Sequence, residues 1–234
     1  MRHRLLEAFL LRVAASPDAE AFALRGGMLV RSWLPSVPRE ARDLDLVCRL
    51  PYRPREMRTR LGAMLGDRRI DDGVVFDAAR FRVDTVRPRS AHPALELFAS
   101  AELAGTHAEI TVDITFGLDV WPAAARSERG VWLCSHEMVI ATKLGVIAEL
   151  APREWRPKDL GDIWLALQRF APAARLGETF ERRGQQVRAI LGSAWWDGPR
   201  AEFRWGRYAV CHPSLPGTLG AVLGDVRDKL ARYA

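Results

Sequence analysis

At 234 residues, with 48% hydrophobic and 27% charged side chains, the chain has the composition of a soluble globular protein with room for a sizeable core. No apolar run approaches the roughly 20 residues that span a bilayer, and Cys48, Cys134 and Cys211 are too few and too scattered for a disulfide framework or a zinc cluster, which points to the cytoplasm. The net charge of +6 is concentrated: from Arg25 to Arg69 eleven arginines stand against five acids, an excess as large as that of the whole chain. A basic region around paired carboxylates suits a phosphate-rich substrate; a solvated arginine-rich surface is the bland alternative.

In chain order, residues 3 to 15 have helical apolar spacing ended by Ser16-Pro17-Asp18, and Glu7 and Arg12 make this an amphipathic helix rather than a signal peptide. "AFAL" is a short buried strand ending at Gly26-Gly27. "MLVRSWL" follows as a helix closed by the loop from Pro35 to Pro38, and "DLDLVC" alternates as a strand. A helix from Pro54 to Gly66 has Met57, Leu61, Met64 and Leu65 on one face. Three β-rich segments come next: "VVFDAARFRVDTV", "ALELFASAEL" and "AEITVDITFG". From Ser135 onward the pattern is mainly helical. The expected class is α+β, a small mixed sheet with flanking helices over residues 1–125 and a helical lobe over 126–234.

Side chains in a strand alternate between faces, so Asp43 and Asp45 share a face while Leu44 and Leu46 point to the core. Two adjacent carboxylates repel unless a cation lies between them. "TVDITF" repeats the arrangement with Asp113, and if the two strands are neighbours three oxygen donors converge. Such a set suits Mg²⁺ and phosphoryl or nucleotidyl transfer with two ions when a nucleotide is bound. Solvent-facing acids on half-buried strands are the competing explanation, because Asp-x-Asp is short and common. Gly26 and Gly27, between a strand and a helix, let a phosphate approach backbone N–H groups and the positive helix end, although most such pairs are simple turns. Neither a P-loop nor G-x-G-x-x-G is present.

"SHEMVIATKLGVIAEL" reads as a helix capped by Ser135, with Lys143 in the stripe Val139, Val146 and Leu150, a face widened by Ile140, Leu144 and Ile147. Lys143 either snorkels to solvent or reaches a cleft to hold a triphosphate. "RPKDLGDIWLAL" starts another helix. Its Asp159 and Asp162 either complement the helix dipole or orient Lys143 or an arginine. Cys134 and His136 lack a third partner for a nucleophile, His3, His92, His107 and His212 are scattered, and Trp195, Trp196 and Trp205 stack a base or fill a core.

Taken together, Gly26-Gly27, an arginine (Arg39 or Arg42) ahead of Asp43-x-Asp45, then Lys143 and Lys158-Asp159-x-x-Asp162 resemble the AbiEii/MenT nucleotidyltransferases over about residues 20 to 170. The resemblance implies a DNA polymerase β-like nucleotidyltransferase core, with a helical C-terminal lobe that completes the active-site cleft. It also implies a toxin that transfers a nucleoside monophosphate from an NTP to an RNA acceptor, the tRNA 3′ end, and is opposed by a cognate antitoxin. On that pattern Asp43, Asp45 and Asp113 hold Mg²⁺, with Lys143 and Asp159 joining them in catalysis. Gly26, Gly27, Arg31, Arg42 and Lys143 bind the nucleotide. Relatives often carry a small hydroxyl residue after the glycine pair; this chain has Met28, with Ser32 one turn further on. The other readings are an antibiotic-type, small-molecule nucleotidyltransferase and a catalytically silent binding module.

Overall fold

The computed structural model describes residues 1–33, 41–119, 125–128, 130–171 and 174–233. They form two compact units, Met1–Leu29 with Glu40–Cys134 and Val30–Arg39 with Ser135–Ala234. The expected loop at Pro35–Pro38 lies outside the described residues.

The first unit is built on seven strands: β1 (Phe22–Arg25), β2 (Leu44–Cys48), β3 (Val74–Val86), β4 (Ala94–Leu103), β5 (Thr106–Phe116), β6 (Ala125–Arg126) and β7 (Trp132–Leu133). Their order across the sheet is β3-β4-β5-β2-β1-β7-β6. The sheet is mixed: β3, β4 and β5 run antiparallel to one another, β2 is parallel to β5, and β1 is antiparallel to β2 but parallel to β7. This unit continues past residue 125 to Cys134 because β6 and β7 extend the sheet there.

Alternation sorts the side chains. Leu44 and Leu46, Leu95 and Leu97, and Val112 and Ile114 are completely buried on one face. Helices α1 (Arg2–Ala15) and α3 (Pro54–Leu65) supply apolar partners for that core. Phe9 of α1 meets Phe76 edge-on at 5.9 Å, and Met57, Leu61, Met64 and Leu65 of α3 are buried as their spacing predicts. Arg12 is buried too, and its guanidinium ties α1 to the start of β3 through Asp72 (2.7 Å) and the Val74 carbonyl (2.9 Å). Each buried donor so bonded avoids the cost of a lost hydrogen bond. The tight β4–β5 hairpin turns on Ala104 and Gly105, both at positive φ (50° and 76°), which is the type I′ pattern that matches strand twist.

Helix α2 (Gly26–Trp33) leaves β1 without a linker. The second unit contains α4 (His136–Leu150), α5 (Pro157–Arg169), α6 (Ala174–Arg182), α7 (Val187–Leu191), α8 (Pro199–Val210) and α9 (Leu219–Leu230). Ser135 caps α4 by accepting from the Met138 N–H at 3.2 Å. The buried stripe of α4 is Ile140, Leu144 and Ile147, and Lys143 lies on its flank. Trp196 and Trp205 are core residues with satisfied indoles: each donates to a carbonyl, of Ile190 (3.0 Å) and Pro216 (2.9 Å) respectively. Among the described residues no helix is long and apolar enough to cross a membrane.

Candidate active site

The face of the sheet opposite the leucines carries charge. Facing register positions put Asp84 of β3, Glu96 of β4, Asp113 of β5, Asp45 of β2 and Arg25 of β1 in one row. Paired positions share a face, so four carboxylates run across four strands and end at a single guanidinium. Asp43, two residues before Asp45, adds a fifth acid at the edge of β2. Adjacent strands lie about 4.8 Å apart. At that spacing, like charges in a half-buried surface raise one another's proton affinity. Asp113 shows the result: burial first, then Asp45, Glu96 and Asp43, push its carboxyl up to about 6, with Arg25 acting in the opposite sense.

Gly26 explains why the row stops at β1. Its φ of +70° lies in the left-handed region, and a Cβ built there would fall on the Asp45 carboxylate, 2.7 Å from the Asp45 Cβ itself. The strand-to-helix turn therefore needs glycine twice over, for backbone conformation and for the space the carboxylate fills. That contact sets Asp45 against the first turn of α2, whose backbone N–H groups have no acceptor one turn earlier in the helix and whose dipole end is positive. Arg25 completes the arrangement. Its Nη2 donates to Thr115 Oγ1 at 3.0 Å and stands 3.9 Å from Asp45, while its Nε has no hydrogen-bond partner among the described residues.

The donor set of Asp43, Asp45 and Asp113 is all oxygen, which fits a hard divalent cation that keeps water or phosphate for its remaining positions. The carboxylates share a face, yet among the described residues no three of them are drawn to a common coordinating centre. They are held apart by strand spacing, and a cation there would relieve the repulsion that raises Asp113.

The other expected residues fall elsewhere. Arg42 is exposed just ahead of β2, Arg31 is half-buried in the last turn of α2, and Arg39 lies outside the described residues. Met28 is buried in α2, so an apolar core position stands where relatives were expected to carry a hydroxyl. In the second unit Lys143 Nζ bridges Asp159 Oδ1 at 2.9 Å and Asp162 Oδ2 at 2.8 Å, and Arg156 Nε reaches Asp159 Oδ2 at 2.8 Å. Burial disfavours the lysine charge, but the two carboxylates outweigh it and hold Lys143 above its usual range. Cys134 is an inert thiol, pushed by burial up to about 12.

Sequence reasoning passed over Glu96 and Arg25. The signal for Glu96 was present in "ALELF": a single acid between two core leucines, the same alternation as "DLDL". Arg25 carried no signal beyond its place next to Gly26.

A family model for "Nucleotidyl transferase AbiEii toxin, Type IV TA system" matches residues 8–210, most of the chain. The chain belongs to the AbiEii family. The match spans every AbiEii residue discussed above, in both units, and accords with the nucleotidyltransferase core expected from the motifs. Two solved structures from Helicobacter pylori are similar in fold. A putative nucleotidyltransferase superposes with a TM-score of 0.61 at 12% identity, covering 99% of this chain and 92% of its own. The crystal structure of JHP933 superposes with a TM-score of 0.59 at 11% identity, covering 99% and 90%. A comparison with curated proteins finds no significant match.

Proposed function

We propose that this AbiEii-family chain is a Mg²⁺-dependent nucleotidyltransferase that moves a nucleoside monophosphate from an NTP to a hydroxyl of an RNA acceptor, the tRNA 3′ end, as the toxin of a pair with a cognate antitoxin. The observation that carries this reading is the register match of Asp45 with Asp113 beside a glycine turn that admits no side chain. Asp43, Asp45 and Asp113 would hold the cation, which lends positive charge to the reacting phosphate and lowers the pKa of the attacking hydroxyl. The Gly26 and Gly27 backbone at the start of α2 receives the triphosphate, with Arg42 adding charge from the exposed approach to β2. The acceptor oxygen forms a bond to the α-phosphorus as the bond to pyrophosphate breaks. The acceptor's proton passes to the Asp113 carboxylate as general base.

The test uses labelled NTPs with tRNA, and with an aminoglycoside as the competing acceptor. Label should enter tRNA, disappear with EDTA and return with Mg²⁺. Outer-shell partners of a metal ligand are already worth 10- to 100-fold, so Asp45→Asn should lower labelling by more than about a hundredfold while leaving the fold intact. Label on the aminoglycoside alone, or full activity of Asp45→Asn, would overturn the assignment.

A further inference from the structure

The charged row has a direction. Arg25 and the Gly26 turn stand at one end, Asp45 and Asp113 in the middle, and Glu96 then Asp84 beyond them. Asp84 is compensated by Arg82, whose Nε lies 3.4 Å from its Oδ2. Glu96 is not: it makes no hydrogen bond or ion pair among the described residues, and it stands directly across from Asp113. Leu95 and Leu97, both completely buried, lock the strand so that Glu96 stays on the charged face. An acid kept half-buried beside another acid costs stability, so a role in the reaction has to account for it.

Two residues along β4 on the same face comes Phe98, with the Arg82 guanidinium 4.1 Å from its ring centroid. Arg80, Arg82, Arg87 and Arg89 are exposed along β3 and the turn after it. A carboxylate, a ring topped by a guanidinium and a set of exposed arginines match the three parts of a terminal nucleotide: ribose, base and phosphate.

Resting on the proposed function, we infer that the β3–β4 face receives the 3′-terminal nucleotide of the acceptor, with Glu96 as a specificity-determining residue that accepts a hydrogen bond from the ribose hydroxyl beside the reacting one. In-line displacement requires the attacking oxygen to approach opposite the leaving pyrophosphate. With the triphosphate at the Gly26 end, the acceptor arrives from the Glu96 end. The Phe98–Arg82 pair then stacks the terminal base, and the exposed arginines follow the backbone.

The experiment compares two synthetic RNAs that differ only in the 3′-terminal sugar, ribose or 2′-deoxyribose, in wild-type protein and in Glu96→Ala and Glu96→Gln. Labelling and fluorescence-anisotropy binding without NTP are both read. A hydrogen bond to a charged group predicts that wild-type protein prefers the ribose end by roughly 10- to 100-fold. Glu96→Ala should erase that preference in both readouts by weakening the ribose-ended RNA alone. Glu96→Gln, with a neutral acceptor, should fall between. Melting temperature should not fall below the wild-type value, since the substitution removes a repulsive neighbour of Asp113, and NTP binding by calorimetry should stay at the wild-type value. A preserved sugar preference in Glu96→Ala overturns the inference. So does loss of Mg²⁺-dependent NTP binding in that variant, which would make Glu96 a metal ligand instead. If wild-type protein labels neither RNA, the proposed acceptor fails and this inference fails with it; labelling without sugar discrimination sinks only the inference.

Discussion

The two units of this chain each hold a cluster of acids, and the clusters are compensated in opposite ways. In the second unit Asp159 and Asp162 are buried; Lys143 lies within 3 Å of both, and Arg156 adds a second cation to Asp159 at 2.8 Å. In the first, Asp43, Asp45, Glu96 and Asp113 share one face with Arg25 as the cation on their row, and Arg25 spends its hydrogen bond on Thr115. A compensated buried cluster behaves as part of the fold: its charges are satisfied locally, and removing one strands the others. An uncompensated cluster on a half-buried surface is unfavourable in the free protein and leaves charge available for a ligand that brings the missing cation. On the proposed function, the first-unit cluster is the one left to meet a substrate, while the Lys143 cluster is satisfied within the fold.

The largest effect that bears on this contrast is expected at Lys143. Lys143→Met leaves two buried carboxylates without their lysine and should destabilise the protein by about 3–5 kcal/mol, read by urea unfolding. If that variant unfolds like wild type yet loses NTP binding, Lys143 serves the triphosphate and the contrast collapses. Gly26→Ala comes next. It forces a side chain to positive φ and into the Asp45 carboxylate, at a cost of about 1–3 kcal/mol from backbone strain alone. It should also abolish nucleotide transfer by displacing Asp45, and normal activity in this variant would dissociate the turn from the site.

The smallest effect has a sign that depends on pH. The Asp113 carboxyl titrates near 3.8 in an ordinary environment and at about 6 in the folded chain, so the folded state binds that proton more tightly. Ionising Asp113 therefore costs stability increasingly as pH rises from about 4 to about 6, and the cost is constant above that. In EDTA, Asp113→Asn should be more stable than wild type by about 1–2 kcal/mol at alkaline pH, once solvent screening is allowed for, and no more stable near pH 4. Thermal melts across that range decide it. An Asn variant less stable than wild type at alkaline pH would show that Asp113 is compensated after all.

Much of the first unit was legible one segment at a time. "VVFDAARFRVDTV" and "ALELFASAEL" are β3 and β4 residue for residue, because period-two alternation and flanking turn residues are local properties. The helix after Pro54 was equally plain, with its four apolar residues buried as expected. The site was legible in composition but not in extent. Asp45 and Asp113 announce themselves by sitting between core leucines, isoleucines and valines, and Asp43 by its place two residues before Asp45. Glu96 has the same signature and was passed over, since one acid between two leucines means little until its strand is known to lie beside Asp113. The apolar face of α4 was legible too: Val139, Ile140, Leu144 and Ile147 are buried, and Val146 and Leu150 are half-buried.

By itself the sequence determined which segments are strands and helices, which side of each strand faces the core, and that several strands carry a lone acid on the other side. These follow from backbone geometry that repeats every two or 3.6 residues. Only the tertiary structure decided that β5 lies parallel beside β2, although more than fifty residues separate them, and so that Asp45 faces Asp113. Nor does any local rule say that a Cβ at Gly26 would meet Asp45, or that Lys143 would meet Asp159 and Asp162. Strand order and register depend on how the whole core packs, a non-local balance of burial and hydrogen bonding that periodicity does not encode.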